Sequence, residues 1–417
     1  MSHKNKSKKK IRRDIARKLK LRGKCKKKNP SDSKGLFNQT PFPTEADIMS
    51  ISRHQQTMKI NEYSSKTPSS KKDWCNMIEA CELQLRENGP NCPLYNNLGL
   101  ARLNLGEHDK AEVALLKAIQ FKEADSITFF NLGLVYKAQK RLSLARDTYQ
   151  HAIKLDPNNF KCLVNLSNLL LGLRDYDGAL NTYRQAHKIQ PNHPNTNFML
   201  AALEGRYVSQ APQQFVRDLF DQYAATFEQH LQDDLNYEVP SVIRHMMDRY
   251  LTNGSVESLL DLGCGTGLVG CAFADHHIKL VVGVDLSPKM LEQARIKDCY
   301  SELHTGDLLH FLQQTKLRFD FFVAADVFIY IGDLKPVLTG MRRCAKAGAI
   351  VAFSFECSSA KEIQLRHTGR FAHNHKYVCQ VATETGWQLL DQKQLVLRNQ
   401  RGIVDGSIVV LRLRPPQ

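Results

Sequence analysis

Residues 256–267 of this 417-residue chain leave few folds open. Val256, Leu259 and Leu260 form an apolar run that ends in Asp261. Gly263, Gly265 and Gly267 follow on alternate positions, ahead of a second apolar stretch. That order predicts a strand, a tight turn and the start of a helix. Glycine suits the turn because its backbone adopts angles other residues resist, and because a ligand must approach the main chain closely. A second predicted strand, residues 280–284, ends in Asp285. An acid at the tip of the neighbouring parallel strand accepts hydrogen bonds from ribose hydroxyls, so the site is expected to hold a nucleoside.

Gly265-x-Gly267-x-x-Gly270 also satisfies the dinucleotide fingerprint, with Asp285 at a suitable distance, so a nicotinamide reading is locally permitted. Three features oppose it. Asp261 stands ahead of the glycines, where a carboxylate meets an ammonium group but repels a pyrophosphate. Residues 283–291 continue as a capped helix. A third acid, Asp307, follows at a spacing suited to an adenine amino group. Together these residues resemble the class I S-adenosylmethionine-dependent methyltransferases. The resemblance implies that Gly263, Gly265 and Gly267 shape the loop under the methionine portion of S-adenosyl-L-methionine. It also implies that Asp285 holds the ribose, Leu286 covers one adenine face and Asp307 bonds the adenine amino group.

Further strands are expected around 301–304, 319–325 and 349–355, with an antiparallel final pair at Trp387–Arg398 and Ser407–Leu413. Helical stretches between the first five imply parallel pairing with right-handed crossovers. No second mononucleotide half is present, as a dehydrogenase would require. Ligands of such sheets sit at the carboxyl ends of the strands, which gathers Asp261, Asp285, Asp307 and the loop Asp326–Tyr330. Asp326 and Tyr330 are candidates to orient the acceptor. A polar insertion after the fifth strand, residues 366–377, supplies His367, His373 and His375 as candidate general bases, with His373 the catalytic candidate. Arg366 and Arg370 there are candidates to clamp a carboxylate or phosphate.

Ahead of this half lies a repeat. Gly99, Gly133 and Ser167 recur every 34 residues. Leu98, Leu132 and Leu166 precede them, and Ala111, Ala145 and Ala179 recur in step, as do Ala118, Ala152 and Ala186. Small residues let two antiparallel helices touch, and large ones fill the space between repeats. This is the tetratricopeptide (TPR) pattern, with copies at about 92–125, 126–159 and 160–193. Trp74–Arg86 and Pro194–Gly205 are expected to cap the array. Arg102 and Glu123 depart from the usual aromatic and the closing proline.

Between the two halves, Phe220-Asp221-Gln222-Tyr223-Ala224-Ala225-Thr226-Phe227-Glu228 resembles the N-terminal segment of methyltransferases of the ubiquinone and biotin pathways. The resemblance implies a helix that closes over the cofactor and adds Tyr223 to its site. The phrases at 325–334 and 369–373 resemble a family of predicted TPR-containing methyltransferases. The expected organisation is a basic tail (1–28), a disordered linker (29–70), a TPR domain (71–205) and a methyltransferase domain (206–417). The fold class is an α/β Rossmann-like seven-stranded domain preceded by an all-α helical-repeat domain.

The net charge of +16 is concentrated in residues 1–28, which hold 15 Lys or Arg against one acid. Ile11, Ile15 and Leu19 are spaced for a basic amphipathic helix, so RNA or an anionic membrane surface is a candidate partner of this tail. No apolar run is long enough to span a membrane, and the eleven cysteines are dispersed without a C-x-x-C pair. Both fit a cytoplasmic protein with reduced thiols. His276-His277 and His373-x-His375 lack ligands at metal-binding spacing, so no metal is expected. The acceptor stays unidentified. A small molecule near Arg366–Tyr377 is the preferred reading; a protein captured by the TPR repeats, or an adaptor without catalysis, are the alternatives.

Overall fold

The structure is a computed structural model that describes residues 68, 70–224, 227–228, 237–250, 256–359, 362–399 and 403–415. The basic tail and nearly all of the linker lie outside these residues. The chain forms two compact units, divided between Leu169 and Leu170.

The first unit is built from helices α1 (Lys71–Glu87), α2 (Cys92–Asn104), α3 (His108–Ala118), α4 (Ser126–Ala138) and α5 (Leu142–Leu155), and by α6 (Phe160–Gly172) up to Leu169. Starts are marked by caps. The Asn91 side chain accepts from the Leu94 amide and that of Asp125 from the Thr128 amide, each at 2.9 Å, which satisfies donors left over by the helical pattern. The 34-residue period has a steric cause. A Cβ on Gly99 would lie 2.5 Å from Leu115 Cγ, and one on Gly133 only 2.4 Å from Tyr149 Cε1. Leu115, Tyr149 and the alanines at 111, 118, 145 and 152 are fully buried where the helices meet. The departure at Arg102 is compensated by a 2.7 Å ion pair to Glu82 on the preceding helix.

The second unit opens with the end of α6, followed by α7 (Tyr176–Ile189), α8 (Pro194–Glu204), α9 (Gln213–Tyr223) and α10 (Val239–Asp248). The sheet follows, with strands β1 (Ser258–Leu262), β2 (Leu280–Asp285), β3 (Glu302–Thr305), β4 (Phe319–Ala324), β5 (Ala345–Cys357), β6 (Ile363–Leu365), β7 (Phe371–His373), β8 (Trp387–Asn399) and β9 (Ile403–Leu413). Its order begins β3-β2-β1-β4-β5, all parallel. β9 runs antiparallel to both β5 and β8.

Burial on both faces explains the nearly continuous apolar character of the parallel strands. Leu260, Leu262, Val282 and Phe322 pack on one side with Leu338, Met341 and Trp387. Leu259, Phe321 and Val323 pack on the other with Ile243, Met246 and Met247 of α10. A further cluster joins Tyr183 of α7 and Phe198 of α8 to Ile329, Tyr330, Leu365 and Phe371, so the last repeat helices share a core with the sheet.

One element differs from expectation. The stretch after β5 is not a polar insertion: β6 and β7 form a hairpin whose second strand extends the sheet beside β5, with Phe371, Ala372 and His373 fully buried. The sheet thus has nine strands among the described residues, where seven were expected. Among the described residues, no helix is long and apolar enough to cross a membrane.

Candidate active site

Strand order reverses at β1, with β2 and β3 on one side and β4 and β5 on the other. A crevice opens at the carboxyl ends of the strands at such a point. A cavity of about 290 Å³ lies there, close to the lower end for small-molecule sites.

The floor is the glycine turn. Gly263 and Gly265 have φ of +67° and +53°, in the left-handed region. The Gly263 amide donates to the Val284 carbonyl at 2.7 Å and the Gly265 amide to Asp285 Oδ2 at 2.9 Å, tying the turn to the end of β2. A Cβ on Gly265 would meet nothing within 4 Å; the space above it is open to a ligand.

Asp285 also accepts from the Ser287 amide at 2.8 Å. Burial pushes it up to about 6 against the pull of these amides, and nearby Asp221 adds to the rise. Asp307 caps the helix Leu308–Gln314, its Oδ1 accepting from the His310 amide at 2.9 Å. Asp285, Leu286, Gly306, Asp307 and Thr266 all line the cavity.

Asp261 is placed differently from the expectation that it meets a ligand's ammonium group. It is fully buried behind the glycine turn and absent from the cavity lining. Tyr300 donates its hydroxyl to Asp261 Oδ2 at 2.7 Å and accepts from the Gly270 amide at 3.0 Å. Burial pushes Asp261 up to about 7; the Tyr300 bond opposes this and Asp285 reinforces it. Its Oδ1 is buried without a hydrogen-bond partner, as is the hydroxyl of Thr266.

The opposite end of the cavity is formed by the loop after β4 and by α9. Asp326 has a φ of +57°, uncommon for a residue with a side chain. Its amide donates to Ser354 Oγ at 2.8 Å and its Oδ2 accepts from Arg398 at 2.9 Å. Arg398 is buried, lines the cavity and also pairs with Glu356, which accepts from Arg366 at 2.6 Å. Tyr330 packs edge-on against Phe220 of α9, which packs the same way on Phe227. Tyr223 is exposed but still lines the cavity, together with Tyr237 and Arg370.

Of the candidates read from the sequence, the structure therefore gathers Gly263, Gly265, Asp285, Leu286, Asp307, Asp326, Tyr330, Tyr223 and Arg370 around one cavity. Gly267 shapes the turn, at φ +91°, without lining the cavity. Arg366 is engaged by Glu356 and by the Cys357 carbonyl. His373 is a correction. It is fully buried in β7, its Nε2 sits 3.0 Å from the Gly332 carbonyl oxygen, and it is outside the lining. Burial holds it down to about 4, so it is a neutral structural donor. His367 and His375 do not line the cavity either. Sequence reading missed Tyr300, Tyr237, Thr266 and Arg398. Only Arg398 carried a signal, as a charge within the alternating strand β8. Among the described residues, no group of three or more His, Cys, Asp or Glu is arranged to hold a metal.

The glycine turn, the parallel sheet reversing at β1 and the acids at the strand ends define a Rossmann-like methyltransferase domain. Residues 260–353 match the family model described as methyltransferase domain. Residues 93–125, 126–159 and 148–181 match tetratricopeptide repeat models. The chain thus combines TPR repeats with a methyltransferase domain.

It is 27% identical over 119 residues to anaphase-promoting complex subunit 3 of Schizosaccharomyces pombe, covering 28% of this chain and 18% of that protein. It is 26% identical over 156 residues to malonyl-[acyl-carrier protein] O-methyltransferase of Salmonella typhimurium, covering 37% and 58%. The chain therefore spans less than two thirds of the length of either relative. Among solved structures, magnesium protoporphyrin IX methyltransferase from Synechocystis with bound S-adenosylhomocysteine is similar at 16% identity. That match covers 48% of this chain and 100% of that one, at a TM-score of 0.39.

Proposed function

We propose that this chain is a methyltransferase that uses S-adenosylmethionine and acts on a small, carboxylate-bearing acceptor. One observation carries the reading: a single cavity joins nucleoside-type acids, Asp285 and Asp307, to an end lined by Asp326, Tyr330, Arg370 and Arg398. The residues present fit the cofactor. Open space above Gly265 and Gly306 leaves room for a close approach, and Thr266 offers an unpaired buried hydroxyl.

In this reading Asp285 accepts from the ribose hydroxyls, Asp307 from the adenine amino group, and Leu286 covers the base. When bound, the cofactor supplies a methyl group already activated by its sulfonium. The protein's share is then chiefly positioning, which contributes up to roughly 7–11 kcal/mol in favourable systems. Phe220, Tyr223 and Phe227 keep water from the site. Arg370 orients the acceptor carboxylate, and Arg398 holds the side chain of Asp326 in place. A carboxylate oxygen is already ionised near neutral pH, so no general base is needed, in keeping with His373 being outside the cavity lining. The similarity to an O-methyltransferase of a malonyl group supports this acceptor class. The TPR repeats serve protein docking, and dispersed cysteines support a cytoplasmic setting.

Calorimetric titration of the intact protein with S-adenosylhomocysteine tests the cofactor reading. Saturable binding is expected, weakened tenfold or more by Asp285→Ala. Absence of binding by the folded protein would end it.

A further inference from the structure

Two cysteines outside the cavity stand closer together than ordinary packing requires. Cys271 lies on the short helix Leu268–Ala272 that leaves the glycine turn, and Cys299 lies ahead of β3. Their sulfurs are 2.8 Å apart; Cys271 is exposed and Cys299 half-buried. Reaching the disulfide length of about 2.05 Å needs an approach of less than about 1 Å. The neighbours give the pair its importance. Gly270 adjoins Cys271 and Tyr300 adjoins Cys299, and the Gly270 amide and Asp261 carboxylate are both bonded to the Tyr300 hydroxyl.

We propose that Cys271 and Cys299 form a redox-active dithiol whose disulfide fastens the helix of the glycine turn to the segment carrying Tyr300. A peroxide is the oxidant. The Cys271 thiolate attacks one peroxide oxygen, breaking the O–O bond and forming a sulfenic acid, and the hydroxide that leaves takes up the proton the thiol released to become one water. The Cys299 thiolate then attacks the sulfenic sulfur, forming the S–S bond and displacing hydroxide, which the proton released by Cys299 converts to the second water. Two thiols are oxidised and one hydrogen peroxide is reduced to two waters. Exchange with two equivalents of a small thiol restores the dithiol. Lys297 and Glu228 are the charged groups acting on Cys271. Burial, then the adjoining Cys299, push the Cys271 thiol up to about 12, with Lys297 opposing. Oxidation therefore accelerates as pH rises, because the thiolate is the nucleophile.

The test uses the full-length protein, reduced, freed of thiol and treated with hydrogen peroxide. Peptide mass spectrometry without reductant should find residues 271 and 299 joined, with the mass of two hydrogens lost and recovered on adding a thiol. Cys271→Ser and Cys299→Ser should each abolish the species while keeping the unfolding midpoint of the reduced protein. Closing a loop between cysteines 28 positions apart should raise that midpoint by roughly 5 °C or more in the oxidised form. Oxidation of Cys271 to sulfinic acid without a cross-link overturns the proposal, as does a cross-link to any other cysteine. A Cys271–Cys299 cross-link that leaves the midpoint unchanged or lower overturns the fastening.

Discussion

Replacing Asp261 by asparagine isolates what the fold does to one carboxyl group. Asp261 is fully buried, has one oxygen bonded to Tyr300 and the other unpaired, and sits near 7 against an ordinary value of 3.8. Between those values the folded protein keeps the proton and the unfolded chain has lost it. Stability contributed by this group is thus complete below 3.8, declines as pH rises towards 7 and levels off above. That difference amounts to about 4 kcal/mol at pH 8 and about 1–2 kcal/mol at pH 5. The amide keeps the carboxyl shape and an oxygen for Tyr300, and it does not ionise. Relative to the parent, Asp261→Asn should therefore gain about 2–3 kcal/mol of stability between pH 5 and pH 8. The chain has two tryptophans, and Trp387 is buried in the core of the second unit. Urea unfolding followed by Trp387 fluorescence in a Trp74→Phe background reads that unit directly. A difference between variant and parent that is the same at both pH values would refute the reasoning.

Gly133→Ala forces a methyl group against the Tyr149 ring; overpacking of that kind should cost about 1–3 kcal/mol, read as a lower midpoint of the first unit. Arg398→Met leaves Asp326 and Glu356 without their common partner and should destabilise the second unit by about 3–5 kcal/mol in urea unfolding. Removing residues 1–28 should leave the affinity for S-adenosylhomocysteine unchanged. Only the longer form should bind RNA or anionic vesicles at low salt, with affinity falling steeply as salt rises; equal binding by both forms would remove the tail's role.

The strands β1, β2 and β4 were legible because burial on both faces demands continuous apolar runs, and the turn because three glycines need unusual backbone angles. The TPR helices were legible because Gly99 and Gly133 each meet a large side chain at a fixed offset. The hairpin β6–β7 was not. Its strands are three residues each, and the charged neighbours of Phe371 and Ala372 mask their burial. His373 misled for a related reason: a polar ring in a polar stretch gives no sign that a carbonyl from Gly332 will engage it. Tyr300 acts on an acid 39 positions away, a contact that leaves no trace in local spacing, and Arg398 showed only as a charge in an alternating strand, with nothing to point to its partner 72 positions away.

The ion pairs that run from Asp326 through Arg398 and Glu356 to Arg366 alternate in sign, and the two middle members are almost wholly buried. An end member can change with one partner lost, but a change in the middle takes a partner from two groups of like charge at once. Drift at these positions is therefore tied together: Arg398 and Glu356 have a viable route to other residues only in concert, through a joint replacement by apolar side chains of matching volume. The wall of the cavity next to Asp326 should accordingly be inherited as a block.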